Sequence, residues 1–177
     1  MSTDPTTWRR VAVIGPGGAG KTTVSTQLAA AYGLPLVHLD VLFWRPGWVA
    51  MPDDEWHSVV EAVVARERWI TDGSFGRTLD LRLVRADAVV FLDLPRRVTI
   101  PSVLRRWLTS RWRPRPDLPD GCPESIDVEF LRWLWRYPHD DRLLVERAIR
   151  LSRSEPKTIR LTSRRAVTAW LATHPAT

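Results

Sequence analysis

Residues 15–22 read Gly-Pro-Gly-Gly-Ala-Gly-Lys-Thr, which satisfies the pattern G-x-x-x-x-G-K-[ST], and they follow directly on the apolar run VAVI at 11–14. No other stretch restricts the fold as much. Such a loop needs a strand to deliver it and a helix to begin at its end, so that backbone N–H groups and the helix N-terminus converge on one anion. The apolar run fits a strand covered on both faces. Behind the loop, Val24, Leu28, Ala31 and Tyr32 share one helical face, and Gly33 is placed as a C-terminal stop. The expected phosphate cradle is Gly15, Gly17, Gly18, Ala19 and Gly20, with Lys21, Thr22 and Thr23 opening the helix. Lys21 is expected to reach the β- and γ-phosphates of ATP, and the Thr22 hydroxyl to ligate Mg²⁺. A glycine-rich turn that only capped a helix would have no use for the Lys-Thr pair.

Strand and helix patterns alternate through the rest of the chain. LPLVHL (34–39), WIT (69–71), AVVFL (88–92) and TIRL (158–161) read as further strands. Residues 53–68 open with Asp53, Asp54 and Glu55 and carry the apolar stripe Trp56, Val59, Val60, Val63 and Val64, which predicts a helix. A short helix is expected through TLDLRLVR, and a closing helix capped by Ser163 with Val167, Trp170 and Leu171 inward. Residues 96–151 look helical, broken near RPRPDLPDGCPE by its prolines and Gly121. The expectation is a single α/β domain over 1–177: about five parallel strands, helices on both faces, and a helical lid insertion at roughly 96–136. Ligands then sit outside the carboxyl ends of the strands.

Composition narrows the partners. The chain carries +6 formal charge, and of its 26 basic residues only Lys21 and Lys157 are lysines. Arginine's planar fork suits anionic ligands, although a genome-wide preference for arginine would leave the same trace. The lone Cys122 excludes an intrachain disulfide and a cysteine zinc cluster, and the four histidines show no metal spacing. Neither a signal peptide nor a run of 18 apolar residues is present, so the expected location is the cytoplasm, with no membrane partner.

Asp40, Asp72 and Asp93 each follow a predicted strand, and a parallel sheet brings such carboxylates to the edge that carries the phosphate loop. One would hold hydrated Mg²⁺, and another could accept a proton from an attacking hydroxyl, with Asp40 and Asp72 ahead of Asp93. In HLDVLFWRPGW (38–48), Phe43, Trp44 and Trp48 form either a wall that stacks on a planar acceptor or a seal over the core. Arginines 96, 97, 105, 106, 111, 113 and 115 occur without an acidic residue among them, which fits a charge-neutralising lid, a solvated basic helix, or, with Trp107 and Trp112, a nucleic-acid surface.

GPGGAGKT, HLDVLFWRPGW, WITDGSF…TLDLRL, FLDLPR and RPDLPDGCPESIDVEFLRWLWRYP together resemble the bacterial P-loop proteins labelled "DNA topology modulation protein", themselves similar to adenylate kinase. The resemblance implies a three-layer fold like that of nucleoside monophosphate kinases, with ATP and Mg²⁺. It places Asp40 and Asp72 around the hydrated metal. Arg77 and Thr78 in DGSFGRT resemble an acceptor-phosphate motif with one extra residue, and Arg82 is its preferred acceptor-side cation. Where the pattern leads one to expect an arginine after DLPR, this chain has Ser102, so Arg105 or Arg106 would take over as the lid's phosphate contact. The resulting expectation is an ATP-dependent phosphotransferase. Its catalytic groups are Lys21, Asp40, Asp72, Arg105 and Arg106, its acceptor contacts are Asp40, Trp44, Arg77, Arg82 and Arg115, and its metal ligands are Thr22, Asp40 and Asp72. The acceptor is a small nucleotide or nucleoside-like molecule. The alternatives are an ATP-dependent nucleic-acid-binding module and a P-loop ATPase without an acceptor.

Overall fold

Five parallel strands in the order β2-β5-β1-β6-β7 form the sheet: β1 (Arg10–Ile14), β2 (Leu36–His38), β5 (Trp69–Asp72), β6 (Ala88–Leu92) and β7 (Thr158–Leu161). The computed structural model describes residues 8–110, 121–122 and 126–175. Among the described residues eight α-helices accompany the sheet: α1 (Lys21–Tyr32), α2 (Leu39–Phe43), α3 (Asp53–Val64), α4 (Leu79–Arg85), α5 (Arg96–Ser110), α6 (Val128–Arg136), α7 (Asp141–Leu151) and α8 (Arg164–Ala172). No helix among the described residues is long and apolar enough to cross a membrane.

The apolar runs are continuous because both sheet faces are covered, and alternation assigns each residue to a side. Ala12, Ile14, Val89 and Phe91 pack with Trp56, Val60, Leu83 and Val145 from α3, α4 and α7. Val11, Val13, Val90 and Leu92 pack with Val24 and Leu28 of α1, against which Val167, Trp170 and Leu171 of α8 also lie. Burying an aliphatic side chain of this size stabilises by roughly 1.5–3 kcal/mol, so the two layers account for most of the drive to fold. Ser163 caps α8 as its sequence predicts, accepting from the Ala166 N–H at 3.1 Å.

The segment HLDVLFWRPGW forms α2 and the first strand of a hairpin, β3 (Trp44–Arg45) paired antiparallel with β4 (Val49–Ala50). Leu39 drives this, because its fully buried side chain turns the chain inward as soon as β2 ends. The helical stretch after β6 also divides by role. Within it, α7 belongs to the body, burying Val145 and Ile149 in the first core layer.

Asp87 fastens the start of β1, accepting from the N–H groups of Arg9 and Arg10 at 3.0 and 2.8 Å and from the Arg10 guanidinium at 3.0 Å. Burial opposes its ionisation, but the Arg10 guanidinium and the two backbone donors together outweigh burial and hold the carboxyl below its ordinary value of 3.8. A depressed folded-state value stabilises above the unfolded one and is lost as pH falls through the folded one. Asp87→Asn is therefore expected to cost most at neutral pH. In urea titrations its deficit against the unsubstituted protein should close as pH falls below 3.8.

Candidate active site

The phosphate loop sits between β1 and α1, at the carboxyl edge of the central strand. Gly18 has φ +76°, and a Cβ there would lie 2.4 Å from the Thr99 carbonyl oxygen, so α5 packs directly against the loop and only glycine fits. Gly17 faces α6, where an added Cβ would meet Phe130 at 2.9 Å. The N-terminus of α1 thus opens onto the cradle formed by Gly15, Gly17, Gly18, Ala19 and Gly20, bringing its partial positive charge there. Lys21 Nζ donates to the Pro16 carbonyl at 3.1 Å, folded across the loop. Thr23, the next residue of the expected cradle, is exposed.

The strand order places β5 beside β1, and so Asp72 beside the loop. Asp72 is 5% exposed, and its Oδ2 accepts the Thr22 hydroxyl at 2.9 Å. The same oxygen lies 3.1 Å from His38 Nδ1. His38 and Asp72 are register partners at the ends of β2 and β5. Asp40, half-buried in the first turn of α2, is two residues farther along. Thr22, Asp72 and Asp40 therefore follow one another along the strand ends in the order β1, β5, β2. His38 went unnoticed in the sequence because a lone histidine has no spacing signal, and its only cue is its place beside Asp40.

Asp93 leaves this group. It accepts from Arg160 of β7 at 2.6 Å and pairs with Arg142 of α7 at 3.4 Å, while Glu146 bridges the same two arginines. Its position after β6 puts it within reach of α7, and the four charges tie that helix to the sheet edge.

The Arg82 expectation is corrected. Arg82 is fully buried, and its guanidinium donates to the carbonyls of Gly73, Ser74 and Phe75. Burial pushes it down to about 9, with Asp80 acting in the opposite direction. It does not face an acceptor; it holds the loop after β5. That loop in turn holds the phosphate loop, because the Ser74 hydroxyl accepts from the Gly15 N–H at 3.0 Å and donates to the Gly15 carbonyl at 2.6 Å.

The aromatic segment divides between its two readings. Phe43 packs edge-on against buried Trp56, centroids 5.1 Å apart, and against Phe75 at 4.9 Å, sealing the core. Trp44 and Trp48 are half-buried and meet edge to face at 5.5 Å on the hairpin. Residues 121–122 lie along this hairpin: the Gly47 N–H donates to the Gly121 carbonyl at 3.0 Å, and the Cys122 thiol to the Arg45 carbonyl at 3.2 Å. Arg77 is exposed and paired with Asp53, and Arg45 Nη2 donates to both Glu55 carboxylate oxygens at 2.7 and 2.6 Å. On α5, Arg105 is exposed and Arg106 half-buried. Ser102, where an arginine was expected, receives instead the guanidinium of Arg164 from α8. Arg115 lies outside the described residues.

No protein-family model matches the chain, and no curated protein does. Solved structures do. Shikimate kinase from Acinetobacter baumannii in complex with shikimate superposes with a TM-score of 0.58 at 20% identity, over 95% of this chain and 91% of that one. Shikimate kinase from Bacteroides thetaiotaomicron gives 0.55 at 15% identity over 94% and 95%, and a gluconokinase from Sinorhizobium meliloti 1021 gives 0.52 at 17% over 93% and 92%. The fold is therefore that of the P-loop kinases, a parallel sheet between two helical layers.

Proposed function

We propose that the chain is a kinase that uses ATP and Mg²⁺ to phosphorylate a hydroxyl of a small acceptor, nucleotide or nucleoside-like in character. The observation that carries this reading is the Thr22 hydroxyl donating to the buried Asp72 carboxylate at the mouth of the phosphate loop. The pair offers hard oxygen donors only, as a small divalent cation requires. Among the described residues no cluster of three or more His, Cys, Asp or Glu could hold a metal. Mg²⁺ needs few ligands from the protein, since it keeps several waters and shares its shell with phosphate oxygens. When bound, the cation supplies charge neutralisation on the β- and γ-phosphates.

The remaining roles belong to the chain. Lys21 exchanges its Pro16 contact for the transferring phosphoryl group, and the α1 N-terminus holds the β-phosphate. Asp40 accepts the proton of the acceptor hydroxyl or holds a metal-bound water. Trp44 offers a flat apolar face to the acceptor. Arg77 is available to an anionic acceptor group, because an exposed ion pair such as Arg77–Asp53 is worth only about 0–1 kcal/mol and exchanges readily. Arg105 and Arg106 neutralise charge from α5, with Arg115 assigned to the acceptor. That the same fold carries shikimate kinases and a gluconokinase supports a small hydroxylated acceptor.

The test is a panel of nucleosides, nucleoside monophosphates, sugars and shikimate, assayed for ADP release and for the phosphorylated product. One member is expected to raise ADP release well above the basal rate and to appear phosphorylated. ATP turnover stimulated by DNA, with every small acceptor unmodified, would overturn the reading.

A further inference from the structure

Asp72 receives two donors on a single oxygen, and they arrive from different elements: Thr22 from α1 and His38 from β2. We propose that His38 is a positioning residue which, by donating from Nδ1 to Asp72 Oδ2, fixes the plane of that carboxylate and keeps its second oxygen available to the divalent cation. This rests on the reading that Thr22 and Asp72 hold the metal.

The torsion that orients an aspartate carboxylate is broad and weakly restrained. A single hydrogen bond at its end acts as a hinge; a second donor from an independent direction removes the rotation. A carboxylate only accepts, so Nδ1 carries the proton in this contact. Backbone geometry holds His38 in place. Parallel pairing sets it opposite Asp72, and the next residue, Leu39, is fully buried, so the imidazole cannot drift along the strand edge. The Thr22 hydroxyl gives its hydrogen to the same oxygen, which leaves its lone pairs directed elsewhere. Thr22 and Asp72 are thus both oriented by the protein itself. Outer contacts of this kind, when removed, typically weaken a metal site about 10–100-fold.

The experiment reads the metal directly. Mn²⁺ binding is followed by electron paramagnetic resonance on the full chain with a non-hydrolysable ATP analogue. His38→Ala is expected to weaken Mn²⁺ about tenfold or more, while affinity for the metal-free analogue and the melting temperature stay close to the unsubstituted values. His38→Asn places an amide N–H near the position of Nδ1 and is expected to restore most of the binding. In turnover, the Mg²⁺ concentration for half-activation rises in His38→Ala, with the acceptor KM unchanged. Mn²⁺ binding by His38→Ala equal to that of the unsubstituted protein overturns the proposal, as does an Asn variant as weak as the Ala one. Lys21→Ala distinguishes the nucleotide site from the role of His38: if the unsubstituted protein holds the Mn²⁺–nucleotide pair no better than that variant, the nucleotide-site reading falls and takes this proposal with it.

Discussion

Lys21→Ala is expected to lower acceptor-dependent phosphoryl transfer by at least about 10²–10³-fold, the loss typical for removing one preorganised charge-stabilising donor, and to leave the fold intact. The side chain is half-buried, and its ammonium donates to the Pro16 carbonyl at 3.1 Å. That part-buried hydrogen bond contributes about 0.5–1.5 kcal/mol net. Charge accumulating on a transferring phosphoryl group is a different matter, because nothing else among the described loop residues is cationic. Rate and stability should therefore separate. Product formation and thermal melting, measured on the same preparation, check this. Turnover within tenfold of the unsubstituted protein would falsify the phosphate-loop assignment.

Arg82→Met is expected to lower stability by about 3–5 kcal/mol, because three acceptors lose their donor at once. Its guanidinium is the donor for three consecutive carbonyls, and each carbonyl left unsatisfied costs about 1–3 kcal/mol. Methionine fills the volume and restores none of the donors. For a chain of this length the loss corresponds to a melting temperature lowered by about 6–20 °C. Arg82→Lys should recover only part of it, since one ammonium cannot span three acceptors in the way a planar fork does. The damage should also reach the phosphate loop, because Ser74 bonds both the N–H and the carbonyl of Gly15. At temperatures where the variant remains folded, nucleotide affinity is expected to fall as well. A variant with unchanged melting and unchanged nucleotide affinity would remove Arg82 from this role.

What the order of residues alone determined is the part governed by neighbours within four positions. The apolar runs at 11–14 and 88–92, the glycine-rich turn with Lys21 and Thr22, the acidic opening of α3 and the Ser163 cap all express local backbone and capping preferences, and each appears where the pattern puts it. Tertiary structure decided where side chains at the strand ends point. Asp72 and Asp93 look alike in sequence, each closing an apolar run. Asp72 lies on β5, between β1 and β2, and so receives Thr22 and His38; Asp93 follows β6, next to β7, and is taken by Arg160 and Arg142. Arg82 sits in a motif whose resemblance assigned it to the acceptor, yet its guanidinium is spent on the three carbonyls of the turn from Gly73 to Phe75. At Ser102, where an arginine was expected, the hydroxyl meets the guanidinium of Arg164, 62 residues away. Strand order and long-range contacts of this kind depend on which elements lie side by side, and a pattern confined to neighbouring residues holds no information about that.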